Sequence, residues 1–339
     1  MNSTACIRGR SGYKHIGDLS AVDLLIQRQG LTIGKKVALK LSNHLSIINI
    51  FLRHRSAVMA VIASFFFATS TFLSKILGGG FLGDAIHPLQ ITHSRFAFGF
   101  LGTLIILILF NKKRLTRPHF SLHLGRVMLG WLGVSIMFTA IVYIPAPDAI
   151  ALTFMSPIFA MLFSIFLLQE NVEKQRWIAA ACAFIGVFFL LRLNSWHISP
   201  MAFFCLIAAA AFGLEIICIK SLTKRERPIQ ILLFSNAIGA IIASLPLFYI
   251  ATKPSVPQWV GLISVGFFMV IGQAFFLFAM QRSEASMVSP YIYATLIFVV
   301  FFDLVFLGIK PDLHSIFGAL VIVAACIYMS YRESIINKT

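Results

Sequence analysis

From Ala57 to about Tyr331 the chain is a succession of apolar runs, each about 20 residues long and separated by short polar connectors. As helix, a run of that length crosses the roughly 30 Å hydrocarbon core of a bilayer. In lipid the backbone must satisfy its own hydrogen bonds, so helix is the form such runs take. Ten candidate spans result, at about 57 to 77, 88 to 110, 124 to 144, 147 to 168, 176 to 192, 199 to 219, 229 to 250, 259 to 280, 286 to 308 and 313 to 331. A mean hydropathy of +0.89 with 12% charged residues excludes a soluble globular fold. The fold class is an all-α polytopic membrane protein with ten transmembrane helices.

A formal net charge of +16 would suggest a nucleic-acid partner in a soluble protein, so the positions of the 28 lysines and arginines decide its meaning. They fall in alternate connectors. With a cytoplasmic N-terminus, 23 lie on the cytoplasmic side, including Lys112, Arg117, Arg126, Lys174, Lys224 and Arg282. Four, Lys75, Arg192, Lys253 and Lys310, lie on the other, and Arg95 is left within a span. That asymmetry is the positive-inside pattern of an inner-membrane protein with both termini cytoplasmic, and it gives no support to nucleic-acid binding. The five cysteines are scattered without CxxC or His spacing, and read as small apolar residues.

Residues 1–56 are polar and basic and form a separate cytoplasmic N-terminal extension without the apolar core of a signal peptide. Within them VALKLSNHLSIINIFLRHR places Leu41, Leu45, Ile48 and Leu52 on one helical face. It reads as a basic amphipathic helix on the membrane surface, or as a solvated tail ahead of a start near Met59.

The remainder matches itself at a spacing of 139 to 145. HPLQITHSRFAFG aligns with RPIQILLFSNAIG through Pro88/Pro228, Gln90/Gln230, Ile91/Ile231 and Gly99/Gly239. Ala63, Phe67 and Lys75 match Ala208, Phe212 and Lys220, and Gly133 matches Gly272. The domains are therefore a five-helix repeat at 57–192 and another at 199–333. An odd number of helices per unit makes successive units cross in opposite senses, which is the inverted repeat of secondary transporters.

Ionisable residues in lipid are costly and should face protein or water. At about 1.5 Å per residue, Arg95 lies about 10 Å from the outer face, at the level of Ser70, Thr71, Ser135 and Ser156. Glu215, Asn236 and Gln273, with Tyr291 and Tyr293, lie about 8 to 10 Å from the inner face. These residues are the candidate substrate pathway, divided into an outer and an inner layer. On the same reckoning Arg95 and Glu215 are about 13 Å apart in depth, too far for an ion pair. Snorkelling to the headgroups is the alternative reading of both. Thr92, Arg95, Gly99 and Gly102 share one face, which favours an inward arginine. Ser156-Pro157 and Ser289-Pro290 interrupt corresponding helices and free backbone carbonyls.

At PAPDAIALTFMSPIFAMLFSIFLLQENVEKQRWIAAACAFIGVFFLLR and SEASMVSPYIYATLIFVVFFDLVFLGIKPDLHSIFGALVIVAACIYMSYRE the chain resembles the EamA-type carriers of the drug/metabolite transporter superfamily. AAAAFGLEIICIKSL and QENVEKQRW are most similar to bacterial S-adenosylmethionine uptake carriers and their riboflavin-carrying and amino-acid-exporting relatives. The resemblance implies ten helices, two inverted repeats and no ATPase. Two positions depart from the family pattern: Gln169-Glu170 replaces Gly-Glu, and Gly308-Ile309-Lys310-Pro311-Asp312 lacks the second glutamate.

The expected function is secondary transport of a small organic metabolite by alternating access, without a cofactor or metal. Its partners are the lipid bilayer and a small-molecule substrate, with proton or exchange coupling open. Gly78-Gly79-Gly80 lacks the Lys-Ser/Thr of a phosphate loop. A membrane-embedded enzyme at the bilayer surface is the alternative, and it would need acids and histidines grouped at one face.

Overall fold

The computed structural model describes residues 55–110, 115–141, 146–191, 200–311 and 313–336, and every regular element in them is helical. The principal helices are α1 (Arg55–Gly78), α2 (Pro88–Phe110), α3 (Phe120–Ile141), α4 (Ala146–Thr153), α5 (Ser156–Leu168), α6 (Lys174–Leu191), α7 (Pro200–Thr223), α8 (Pro228–Ser244), α9 (Val256–Arg282), α10 (Ala294–Leu307) and α11 (Leu313–Ile336). Among the described residues seven helical stretches are long and apolar enough to cross a membrane, and Pro228–Ser244 and Ile316–Tyr328 are shorter apolar helices. The extension before Arg55, with the amphipathic stretch ending at Leu52, lies outside the described residues.

Proline marks several helix starts, at Pro88, Pro200 and Pro228, where a missing N–H costs nothing. Inside a run it has the opposite effect. Pro157 separates α4 from α5 by a turn at Phe154-Met155, and Pro290 turns Ser289–Tyr293 into a 3-10 segment ahead of α10. The outer surface is apolar: Ile108 and Phe166 are each 72% exposed, beside Ile105, Leu109, Ile241, Phe267, Phe306 and Leu320. Such a surface suits lipid. The core is built largely from small and branched residues of α1, α7, α8 and α9, including Ala63, Ile216, Leu222, Ile231 and Leu277.

Contacts between the two matched halves recur with their partners exchanged. The Phe212 ring lies over Gly133, and the Phe67 ring over Gly272; a Cβ on either glycine would come within 2.7 Å of the ring. Asn236 faces Gly99, while Phe96 faces Gly239. Gln90 Oε1 accepts from Thr252 N and Oγ1, each at 3.1 Å, and Gln230 Oε1 accepts from Thr116 N at 2.9 Å and Oγ1 at 3.1 Å. Because Gln90, Phe96 and Gly99 meet Thr252, Gly239 and Asn236 in reverse order, α2 and α8 run antiparallel.

The altered helix ends have distinct consequences. Gln169 closes α5 in the left-handed region at φ 54°, where α10 uses Gly308 at φ 67°. A side chain there costs about 1 kcal/mol or more. Gln169→Gly is expected to raise the unfolding free energy by up to about 1 kcal/mol, read as a higher melting temperature in detergent, and no change would show the strain to be absent. Next to it the buried Glu170 carboxylate accepts from Ala285 N at 2.9 Å and Ser286 N at 3.1 Å, capping the short helix Ala285–Val288. Ile309, at the position of the missing second glutamate, is exposed.

Candidate functional site

α3 starts at Phe120, four residues before the expected boundary at 124, and this brings His123 inside the helix three residues ahead of Arg126. Arg126 was expected among the cytoplasmic basic residues. It is instead buried, and its burial is offset by partners: NH1 donates to Ser235 Oγ at 2.9 Å and Nε lies 3.7 Å from Glu215 Oε1. The Glu215 carboxylate fits against the α3 backbone because position 130 is glycine; a Cβ there would come within 3.0 Å of Oε2.

Around this pair lies a cavity of about 160 Å³. α2 contributes Leu89, Thr92, Arg95 and Phe96, and α3 contributes Arg126, Gly130, Trp131 and Val134. Phe212 and Glu215 of α7, Ser235 of α8, and Met269 and Gln273 of α9 complete most of the wall. Arg95 and Glu215 thus share one chamber rather than occupying separate layers, although no ion pair within 4 Å joins them among the described residues. Depth reckoned from helix ends places them apart because a tilted helix changes the depth of each residue and an arginine side chain reaches several ångströms from its backbone. Tilt and packing decide depth.

Two donors are left open at this wall. Arg95 Nε and Trp131 Nε1 are buried and have no hydrogen-bond partner among the described residues, and the Arg95 guanidinium lies over the Phe96 ring, 4.7 Å from its centre. Buried donors without acceptors are costly and rare, so a pair of them at one cavity marks a place for an acceptor such as a carboxylate or phosphate oxygen. Two arginines against one carboxylate leave the wall with a net positive charge. Glu215 supplies the complementary acceptor for an ammonium or other cationic group.

The other expected pathway residues divide. Asn236 is buried behind the wall and donates to Gln273 Oε1 at 3.1 Å, so both belong to the site, one at its surface and one in support. Ser70 does not; its Oγ donates to Val265 O at 3.0 Å and locks α1 to α9. Ser135 is exposed, and Ser156 sits half-buried at the start of α5. Tyr291 and Tyr293 are almost wholly buried in the 3-10 segment, where Tyr291 O accepts from Ser64 Oγ at 2.9 Å. None of these five lines the cavity. Hydroxyls are tolerated in a membrane helix by bonding to neighbouring backbone, so their presence is a weak marker of a pathway.

Trp131, Phe96, Met269, Ser235 and Arg126 are cavity residues that the sequence does not mark as such, and Phe212 is marked only as the repeat counterpart of Phe67. A signal for Arg126 exists: Arg126, Gly130 and Val134 follow the i, i+4 spacing of one face within the third span.

Beneath the cavity Glu226, in the connector from α7 to α8, has a fully buried side chain. It accepts from His119 N at 2.6 Å and Gln230 Nε2 at 2.7 Å, and lies 3.0 Å from His123 Nε2. Burial alone would raise its carboxyl, but these partners outweigh burial and hold it below the usual value.

Two stretches, 54–192 and 199–331, each match the model of the EamA-like transporter family. The S-adenosylmethionine uptake transporter of Rickettsia prowazekii is 23% identical, covering 75% of this chain and 86% of its own length. The pseudopaline exporter CntI of Pseudomonas aeruginosa strain PAO1 is 27% identical over 80% and 95%, and the riboflavin transporter of Rhizobium johnstonii is 29% identical over 70% and 80%. A crystal structure of a protein with 16% identity shares the fold, with a TM-score of 0.70 over 81% of this chain and 96% of that one.

Proposed function

Because the chain belongs to the EamA-like transporter family, we propose that it is a secondary, non-ATP-driven carrier that moves a small metabolite bearing a carboxylate and an amine by alternating access across a bacterial inner membrane. The observation that carries this reading is the cavity in which the open Arg95 Nε and Trp131 Nε1 donors stand with Arg126, opposite the Glu215 carboxylate. The relatives' names span an S-adenosylmethionine uptake transporter, a pseudopaline exporter and a riboflavin transporter. At about 160 Å³ the cavity suits an amino-acid head group, and a larger metabolite requires the helices to part, as pockets for drug-sized ligands measure about 300–1,000 Å³.

Two five-helix units, 57–192 and 199–333, of inverted topology supply that motion. The reading is supported by the family match to each half, by the exchanged pairs Phe212/Gly133 and Phe67/Gly272, and by the antiparallel course of α2 and α8. With the basic connectors cytoplasmic, both termini are cytoplasmic and Glu226 lies at the inner end. An enzyme at the bilayer surface is less well supported, since the charged groups that meet here surround a chamber between helices.

Proteoliposome uptake of labelled S-adenosylmethionine, riboflavin and amino acids tests the reading. Arg95→Lys is expected to lower transport about tenfold or more and Arg95→Ala further, since an ammonium cannot reproduce the planar fork on a carboxylate. Wild-type rates in both variants at equal membrane abundance would remove Arg95 from the pathway.

A further inference from the structure

A continuous polar path leads from the cavity to the end of the bundle that carries His119. Ser235 lines the cavity and accepts from Arg126 NH1 at 2.9 Å, and its Oγ lies 3.3 Å from His123 Nδ1. The His123 ring is fully buried, and its Nε2 faces Glu226 Oε2 at 3.0 Å. Glu226 Oε1 in turn lies 3.2 Å from Nδ1 of His119, whose side chain is 43% exposed. A buried imidazole bridging a carboxylate and a hydroxyl, with a second imidazole at the exposed end, is a proton-conducting arrangement that metabolite recognition does not require.

We propose that this protein binds and moves a second ligand, a proton, on the path Ser235–His123–Glu226–His119. With Glu226 ionised, His123 Nε2–H donates to it and Nδ1 accepts the Ser235 hydroxyl. A proton from cavity water passes to Ser235 Oγ as Ser235 gives its own to Nδ1. The ring is then doubly protonated and the cavity has lost one proton. Nε2–H next passes to Glu226 Oε2; rotation of the now neutral carboxyl carries that proton to the His119 side, where it leaves for the His119 imidazole and bulk water. One proton has crossed, and the ring, left protonated at Nδ1, regains its Nε2–H tautomer by reorientation before the next proton follows.

The same contacts join proton binding to the candidate substrate site, and this coupling rests on the transport reading. The charged and titratable groups facing His123 are Glu226 and His119 from the connectors and Arg126 from its own helix. Beyond Arg126 stand Glu215 and Cys218 of α7 and Arg95 of α2. A protonated His123 and Arg126 repel. A carboxylate bound at Arg95 and Arg126 relieves that repulsion, so carboxylate and proton assist each other's binding, and linkage makes the effect reciprocal.

The test uses the full chain in nanodiscs with 15N-labelled histidine, the His123 signal being assigned by its loss in His123→Gln. Trp131 fluorescence is read after Trp177, Trp196 and Trp259 are replaced by phenylalanine. His123 is expected to change protonation state as pH is scanned, Glu226→Gln to shift that change to lower pH because the carboxylate facing Nε2 is lost, and Trp131 emission to follow it. Ser235→Ala should leave His123 titrating while Trp131 no longer responds; this variant and Glu226→Gln serve if His123→Gln fails to fold. A His123 ring in one protonation state throughout overturns the proposal. So does a Trp131 that ignores pH in the wild type or follows it unchanged in Ser235→Ala. If Trp131 follows pH as expected while wild-type proteoliposomes move none of the metabolites, the proton path stands and the transport reading falls.

Discussion

Glu215→Gln is expected to abolish most transport, with uptake falling about tenfold or more, and to destabilise the protein by about 1–3 kcal/mol. The carboxylate lies 3.7 Å from Arg126 and shares the cavity with Arg95, so its removal leaves two guanidinium groups facing each other with no counter-charge between them. The two consequences separate in a double variant. Replacing Arg126 and Glu215 together by methionine removes both charges, and should recover most of the lost stability while leaving uptake abolished, since an apolar pair can substitute for a buried ion pair in packing but not in recognition. Stability is read from denaturation in detergent and function from uptake at equal abundance. Wild-type transport by Glu215→Gln would place the carboxylate outside the pathway. Recovery of transport in the double variant would reduce the pair to a structural element.

Gly186→Leu is expected to lower stability by about 3 kcal/mol through a different cause. α6 and α11 touch where Gly186 meets Gly318: a Cβ at position 186 would come within 2.8 Å of the Gly318 carbonyl oxygen and within 2.8 Å of Ile322 Cγ1. A backbone oxygen cannot rotate aside, so the helices must separate along a contact that van der Waals packing alone maintains in lipid. Cys182→Leu, on the exposed face of the same helix, is the control and should change stability by less than about 0.5 kcal/mol. Equal losses in the two variants would mean that α6 and α11 do not approach at Gly186.

Hydropathy and spacing along the chain are enough to identify a helical membrane protein of a transporter family and, among the described residues, to locate most of the helical stretches. Length and hydropathy are local properties, and the bilayer allows one main solution to them. The internal match also singles out Phe67, Phe212, Gly133 and Gly272, which meet in the fold as two ring-on-glycine pairs. Which polar residues meet depends on how the helices pack. Arg95 and Glu215 came together and Arg126 joined them, while Ser70, Ser135, Ser156, Tyr291 and Tyr293 went to helix contacts, the surface or the core. The physical reason lies in two variables absent from a linear reading, the tilt of each helix and its rotation about its own axis. Both are set by packing against neighbours far away in the chain, at places such as Gly130 beneath Glu215 and Gly239 beneath Phe96, where the lack of a side chain on one helix admits a large one from another.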